Sequence, residues 1–209
     1  MPSSCAIFQY VYINVPEISF SEWHPMYISS AAEDHETTHH IKSYGPGTFS
    51  GKLHDLFRES HREAANISLN IEGPYGAVLP YHRYEKIVFV AGGIGVAPVH
   101  SQFKTLYVLA KAGLLPVTRV HLVWVAKDPA LFGIFRQTFQ MIANDSLHTR
   151  FKFDFYVTQE YLVGLSEAPK PPIDSDFQPN FKLGRPNLQR ELAVGLSAYG
   201  MHALIYSSG

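Results

Sequence analysis

Along roughly the first 80 residues, apolar and polar side chains alternate in short runs separated by turn residues. "FQYVYIN" (8–14), "MYISSA" (26–31), 38–43 and "ISLNIE" (67–72) carry the aromatic and β-branched content of strands. Between them, "TFSGKLHDLFRES" (48–60) departs from the two-residue rhythm. Leu53, Leu56 and Phe57 fall at helical spacing, and Thr48 or Ser50 is available as an N-cap, so one short helix is expected here. After about Tyr81 the pattern changes to strand and helix in turn. Strands are expected at 86–91, 118–126, 151–157 and 202–207, and helices at 98–112, about 130–143 and 186–197. Such alternation predicts a parallel sheet covered by helices. The stretch 164–184, with Pro169, Pro171, Pro172 and Pro179, reads as a surface loop. The β part, at three or four strands and a helix, is too small to close a barrel alone. It either leans on the second part or lacks strands upstream.

Composition narrows the classes. An apolar fraction of 46% over 209 residues is ample for packed cores. Lys and Arg number 17 against 18 Asp and Glu, so no basic stripe points to nucleic acid. One cysteine, Cys5, excludes an internal disulfide and any CxxC metal motif. No window approaches the roughly 18 apolar residues of a membrane helix, and "MPSSCAIFQY" lacks the pattern of a secretion signal. The chain as written reads as a soluble globular piece.

Six short stretches carry candidate chemistry. "EWHPMYISSA" (22–31) would place a ring, hydroxyls and backbone amides along one strand, suited to a flat ring system with a diphosphate; the alternative is a strand whose Tyr27 packs in a core. "HHIKSYGPGTFSGKL" (39–53) runs from a strand through a Gly-Pro-Gly turn to Thr48 at a helix start, with Lys42 nearby, an arrangement that favours anions. Its His39 and His40 would point to opposite faces of a strand, so they are not expected to share a metal. "EGPYGAV" (72–78) is a glycine turn or a hinge. "FVAGGIGVAPVHS" (89–101) places Gly93-x-Gly95-x-x-Pro98 between a strand and a helix, which is either a phosphate cradle or a tight turn. "LVWVAKD" ends a strand on Lys127, and "GRPN" sets Arg185 before a helix. Each of these cations is singly no more than a surface charge, but the carboxyl edge of a parallel sheet is where α/β proteins bind ligands.

Taken in order, "HPMYISSA", "HIK" followed by Gly45-x-x-Thr48, "GPYG", "GGIGVAP", "VWVAKD" and "GRPN" resemble the cytosolic dehydrogenase region of the ferric reductase and NADPH oxidase family, with "QYVYINVPEIS" and "WHP" particularly close. The resemblance runs from about Gln9 to the last residue. It implies the ferredoxin–NADP reductase arrangement: a partial antiparallel β-barrel that binds FAD, residues 1–82, followed by an α/β parallel-sheet domain that binds NADPH, residues 83–209, truncated at its C-terminus. His24 and Pro25 match the start of the family's His-Pro-Phe-Thr flavin motif, and Ser29 and Ser30 its hydroxyl-bearing end. His40, Ile41 and Lys42 match a stretch that contacts FAD, and Gly45 and Thr48 the turn near the flavin diphosphate. Gly73, Pro74 and Gly76 fall at the junction facing the nicotinamide. Gly93, Gly95 and Pro98 match the loop on the NADPH diphosphate, which favours the cradle. Lys127, where the family usually has Arg, and Arg185 are candidates for the adenosine 2′-phosphate.

The sequence also departs from the family. Met26 stands where an aromatic is usual beside the flavin, and Tyr27 where a small hydroxyl residue is expected near N5; a shift of one place would let the tyrosine stack. Phe8 replaces a common Gly, and the family's Cys-Gly-Pro becomes Ser208 and Gly209. The resemblance implies an oxidoreductase passing electrons from NADPH to FAD and on to haem, then to ferric iron or oxygen. Haem belongs to the membrane domain of a longer parent, on whose cytosolic side this region would lie. The hydride step requires no protein acid or base, so no catalytic side chain is named; Ser207 or Ser208 could approach the nicotinamide if further chain followed. The rival expectation is a non-catalytic fragment that binds NADPH at most.

Overall fold

The computed structural model describes residues 6–63, 67–78, 80–158, 181–191 and 205–208. The chain divides into two compact units, residues 1–30 with 34–79, and residues 31–33 with 80–209.

The first unit is built on an antiparallel sheet of three strands, in the order β2 (His24–Tyr27), β1 (Ala6–Asn14), β3 (Asn70–Val78). Alternation sorts the side chains. Val11 and Ile13 of β1 are buried, and Met26 packs against them with Val15 and Leu53. The helix α1 (Phe49–Glu63) supplies Phe49, Leu53 and Leu56 to this core, while Phe57 is 45% exposed. Thus α1 forms where the spacing predicts it, but its apolar stripe lies along 49, 53 and 56. The expected strand at 38–43 is not one: these residues are extended without pairing in a ladder. A main-chain bond, from Ser29 N–H to the Thr38 carbonyl at 2.9 Å, is supplemented by side chains. Thr38 N–H donates to Ser30 Oγ at 3.1 Å, and Ser29 Oγ donates to the Thr38 carbonyl at 2.9 Å.

The second unit contains a parallel sheet in the order β7 (Phe181–Leu183), β6 (Phe151–Val157), β5 (Arg119–Ala126), β4 (Lys86–Gly92), β8 (Ile205–Ser208). Between β4 and β5 runs α2 (Val96–Lys111), and between β5 and β6 runs α3 (Arg136–Ala143). The helix expected over 130–143 is split: Pro129–Phe135 is a 3₁₀ stretch, and only the remainder is α. Asp128 explains the tight start, because its Oδ1 accepts from Ala130 N–H at 2.9 Å and Pro129 follows it. β7 lies inside the stretch read as a loop and is a correction to it; residues 164–180 of that stretch, 192–197 of the last expected helix and 202–204 of the last expected strand lie outside the described residues.

Packing in this unit is aromatic. Trp124, Phe132, Phe139 and Phe155 are fully buried, with centroids 4.8 Å apart for Trp124 and Phe132, and 5.2 Å for Phe139 and Phe155. The latter two meet edge to face, the geometry favoured by ring quadrupoles. Replacing Phe139 with alanine is expected to destabilise this unit by about 3–5 kcal/mol, because the surrounding rings cannot close the gap. Met141 of the same helix is exposed, and Met141→Ala is expected to stay within about 0.5 kcal/mol; equilibrium denaturant unfolding of the two variants checks the contrast.

Candidate functional site

In the first unit the candidate surface begins with β2. Pairing in the register Tyr10↔Tyr27, Val11↔Met26, Tyr12↔Pro25 and Ile13↔His24 puts Met26 toward the core and turns Pro25 and Tyr27 outward. Tyr27 is 44% exposed and Tyr75, between Pro74 and Gly76 on β3, 39%. They belong to one aromatic group: Tyr10 lies 6.0 Å from Tyr27 and 5.7 Å from Tyr75, and Tyr12 is 5.7 Å from both Tyr10 and Tyr75. The Tyr75 hydroxyl donates to Glu72, a bond that raises its pKa. Tyr27 and Tyr75 lie within the quoted motifs, whereas Tyr10 and Tyr12 of this face are not singled out. Its signal is the strict alternation of "FQYVYIN", which sets Tyr10 and Tyr12 on one face and Val11 and Ile13 on the other.

Ser29 and Ser30 are buried, and their hydroxyls serve the chain itself. Ser29 Oγ, its one proton given to the Thr38 carbonyl, lies 2.8 Å from His40 Nδ1, which therefore donates. His39 turns elsewhere, donating from Nδ1 to the Tyr27 carbonyl at 2.9 Å. Ile41 joins the apolar cluster, and Lys42 is exposed with its ammonium 5.7 Å from the Tyr44 ring. His24 stacks on Phe49 at 3.8 Å, and its Nε2 lies 3.5 Å from Glu22 Oε2.

The turn before α1 is built on one hydroxyl. Thr48 Oγ1 donates to the Gly45 carbonyl at 2.8 Å and accepts from Gly51 N–H at 3.0 Å, which makes it the cap. Gly51, not singled out in the sequence, is required by this closure, since a Cβ there would stand 1.9 Å from the Gly45 carbonyl oxygen.

In the second unit, β4 leads through a 3₁₀ turn, Gly93–Gly95, into α2. Gly93 has φ +51 and open space where a Cβ would lie. No side chain caps α2 and its first turn carries no acid, so its positive end is open to an anion. Pro98 sits in the first turn, where a missing N–H costs nothing. The loop is fixed from outside: Trp124 Nε1 donates to the Gly93 carbonyl at 2.9 Å. Lys127 follows the last residue of β5 and Arg185 follows β7 and Gly184; both are exposed. Because β4 to β7 are parallel, both cations and the glycine turn share the carboxyl edge of the sheet. Ser208 pairs with Ala91 at the same edge. Gly73, Pro74 and Gly76 lie on β3 of the first unit.

An antiparallel sheet bearing an exposed aromatic face, followed by a parallel sheet with a glycine turn at its carboxyl edge, defines a class, an FAD-binding domain followed by a NAD binding domain. Residues 4–79 match the model of an FAD-binding domain, and residues 84–198 that of the ferric reductase NAD binding domain. The chain belongs to the ferric reductase NAD binding domain family. It is similar to NADPH oxidase 1 of Mus musculus, 30% identical over 77% of this chain and 27% of that protein. It is also similar to the probable ferric reduction oxidase 1 of Arabidopsis thaliana, 24% identical over 76% of this chain and 23% of that protein. The chain thus spans about a quarter of the length of these curated relatives. Among solved structures, the CS-b5R domains of human Ncb5or in the NAD+ form give a TM-score of 0.63 at 17% identity, covering 97% of this chain and 53% of that one. A ferredoxin-NADP+ reductase from Plasmodium falciparum with 2′P-AMP gives 0.55 at 14%, covering 74% and 60%. At such identities the likeness speaks for the fold, which is the ferredoxin reductase type expected from the sequence. With FAD and NAD domain matches in that order, the reading as a fragment limited to NADPH binding is not favoured.

Gly51→Ala is expected to cost more stability than Thr48→Ala, roughly 1–3 against about 1 kcal/mol, because the alanine Cβ meets backbone that must move; thermal unfolding with and without FAD checks it. His40 has a lowered pKa, chiefly from burial and then from His39. Below the ordinary value of 6.5 the unfolded chain therefore takes up the proton first. Stability should fall as pH drops through that range, and His40→Gln should flatten the fall when unfolding is compared at about pH 7.5 and about pH 5.5.

Proposed function

We propose that this region takes electrons from NADPH onto FAD and, in a longer parent protein, passes them to haem and then to ferric iron or oxygen. The observation that carries this is the uncapped glycine turn Gly93–Gly95 at the carboxyl edge, held by Trp124 and flanked along that edge by Lys127 and Arg185. Bound FAD would supply the redox chemistry, as acceptor of hydride and donor of single electrons.

The chain's own residues place and shield. Tyr27 and Tyr75 offer exposed aromatic faces for a flat ring system, and Pro25 shares the outward side of β2 with Tyr27. Tyr27 thereby takes the place along the strand that position-by-position comparison gives to Met26. Ser29, Ser30 and His40 hold the 38–42 segment in place for Lys42 to reach an anion. Gly45, Thr48 and the start of α1 suit the flavin diphosphate, and Gly73, Pro74 and Gly76 keep the approach to the ring narrow. His24, stacked on Phe49 with its Nε2 3.5 Å from Glu22 Oε2, stands at the start of β2 beside Pro25. Gly93, Gly95 and Pro98 give room and backbone donors for the NADPH diphosphate.

Lys127 and Arg185 are assigned to the 2′-phosphate. An ammonium keeps the charge but not the planar two-point contact of a guanidinium, which weakens preference for NADPH without removing it. The haem-bearing partner domain and a position at the cytosolic face of a membrane rest on the family; among the described residues no helix is long and apolar enough to cross a membrane.

The chain, loaded with FAD and freed of excess under anaerobic conditions, should retain flavin and lose its absorbance on addition of NADPH. Flavin that washes out while NADPH analogues still bind would overturn the electron-transfer reading for this chain. Lys127→Ala should raise KM for NADPH about tenfold, the scale of one lost charge-assisted contact, with NADH little affected.

A further inference from the structure

A concave surface runs along one face of the parallel sheet, from Arg119 at the start of β5 to Tyr156 and Lys182. Arg119 opens β5 eight positions before Lys127, so roughly 26 Å separates them along the strand. A cavity of about 660 Å³ lies here, lined by Arg119 and by side chains of β6, β7 and the helical turn 188–191. None of Gly93, Gly95, Lys127 or Arg185 lines it. Its size is in the ordinary range for a small-molecule pocket.

Its floor is a network of charged and polar side chains. His121 Nε2 lies 2.8 Å from Asp154 Oδ2, while Lys182 Nζ is 3.1 Å from Asp154 Oδ1 and 3.3 Å from Glu191 Oε1. The Tyr156 hydroxyl donates to Glu191. The hydrogen bond from His121 outweighs burial and lowers the Asp154 pKa; burial opposes the charge on Lys182, yet its bonds to Tyr156 and Asp154 prevail and raise its pKa. Ligand atoms of His121, Asp154 and Glu191 fall within 4.8 Å of one another, as for a metal ion, but the Lys182 ammonium already bridges the two carboxylates. A cation is therefore not what the cavity lacks.

What the network leaves over is the charge of Lys152 and Arg190 and a buried nitrogen of His121. Four permanent cations, Arg119, Lys152, Lys182 and Arg190, line the cavity against the two carboxylates, Asp154 and Glu191, and His148 adds an imidazole. Lys182 accounts for both acids. Lys152 and Arg190 are exposed and have no carboxylate partner among the described residues. His121 is 2% exposed, and its Nδ1 has no hydrogen-bond partner. A buried polar atom left in that state is costly unless something supplies its partner.

We infer that this cavity binds a phosphate-bearing ligand, with Lys152 and Arg190 on the phosphate and His121 Nδ1 meeting a polar group of the same molecule. Surplus cations beside a concave apolar wall, here Ala143 and Phe151, suit a charged head on a compact body. The site is separate from the nucleotide edge and does not depend on the reading of that edge.

Inorganic pyrophosphate titrated into the full chain tests it, with the His121 ring signals followed by NMR. Saturable movement of those signals is expected, at least tenfold weaker in K152Q/R190Q, whose two positions are exposed and leave the core intact. Unmoved His121 signals, or equal affinity in the double variant, overturn the proposal. Adenosine diphosphate and vesicles carrying a phosphoinositide separate the sources. Signal movement by the nucleotide assigns the site to a soluble ligand, and vesicle co-sedimentation lost in K152Q/R190Q assigns it to a lipid headgroup.

Discussion

A buried indole N–H has to find an acceptor, and in this chain the acceptor is the carbonyl of Gly93. Trp124 is fully buried among Phe132, Phe139 and Phe155, so its ring cannot move without the whole aromatic layer. The turn Gly93–Gly95 carries only the Ile94 side chain and is closed by the Val96 N–H on the Gly93 carbonyl. A 2.9 Å bond from Trp124 ties that same carbonyl to the neighbouring strand. This reconciles two demands that ordinarily conflict. A phosphate cradle needs bare backbone and open space, whereas a precise site needs rigidity. Here the space lies at Gly93 and the rigidity in the core beneath it.

Much of the architecture was legible because the period of the hydrophobic pattern is itself structural. β1 shows this most plainly, since its alternation separates Val11 and Ile13 from Tyr10 and Tyr12 before any partner strand is known. The misreadings have definite causes. Residues 38–43 have strand-like composition, but Thr38 is tied by a backbone bond from Ser29 and by the Ser29 and Ser30 hydroxyls, and no ladder forms. β7 is three residues long and has no period to read; it is recognisable only by what Phe181 touches, the rings of Phe132 and Phe155. In the stretch 130–143, helical periodicity gave no warning that Asp128 and Pro129 would start the chain in a tighter coil.

The sites divide along the same line. Thr48 was readable as a cap because capping is local, but Gly51 was not, because its necessity lies in a carbonyl six residues away. Met26 and Tyr27 give the sharper case. Along a strand, one place is a change of face, so a motif displaced by a single residue exchanges core for surface. Pairing with β1 turns Met26 inward and Tyr27 outward, next to Tyr10. Tyr27 is thus the exposed aromatic of this strand, a difference of face that register displays and composition does not.

The charges of the second unit follow from the shortness of β7. Three residues of ladder against Phe155, Tyr156 and Val157 are a weak attachment for an edge strand. Lys182, at its centre, is half-buried beside Tyr156, and a charge in that position must be paired. Asp154 and Glu191 meet that demand, one from the neighbouring strand and one from the helical turn 188–191, so the same ammonium that needs them also ties three elements together. Once both carboxylates are engaged by Lys182, they no longer offset the cations around them. The surplus of positive charge at Lys152 and Arg190 is thus a consequence of how a short strand is held in place, and it gives this unit an electropositive cavity in addition to its nucleotide edge.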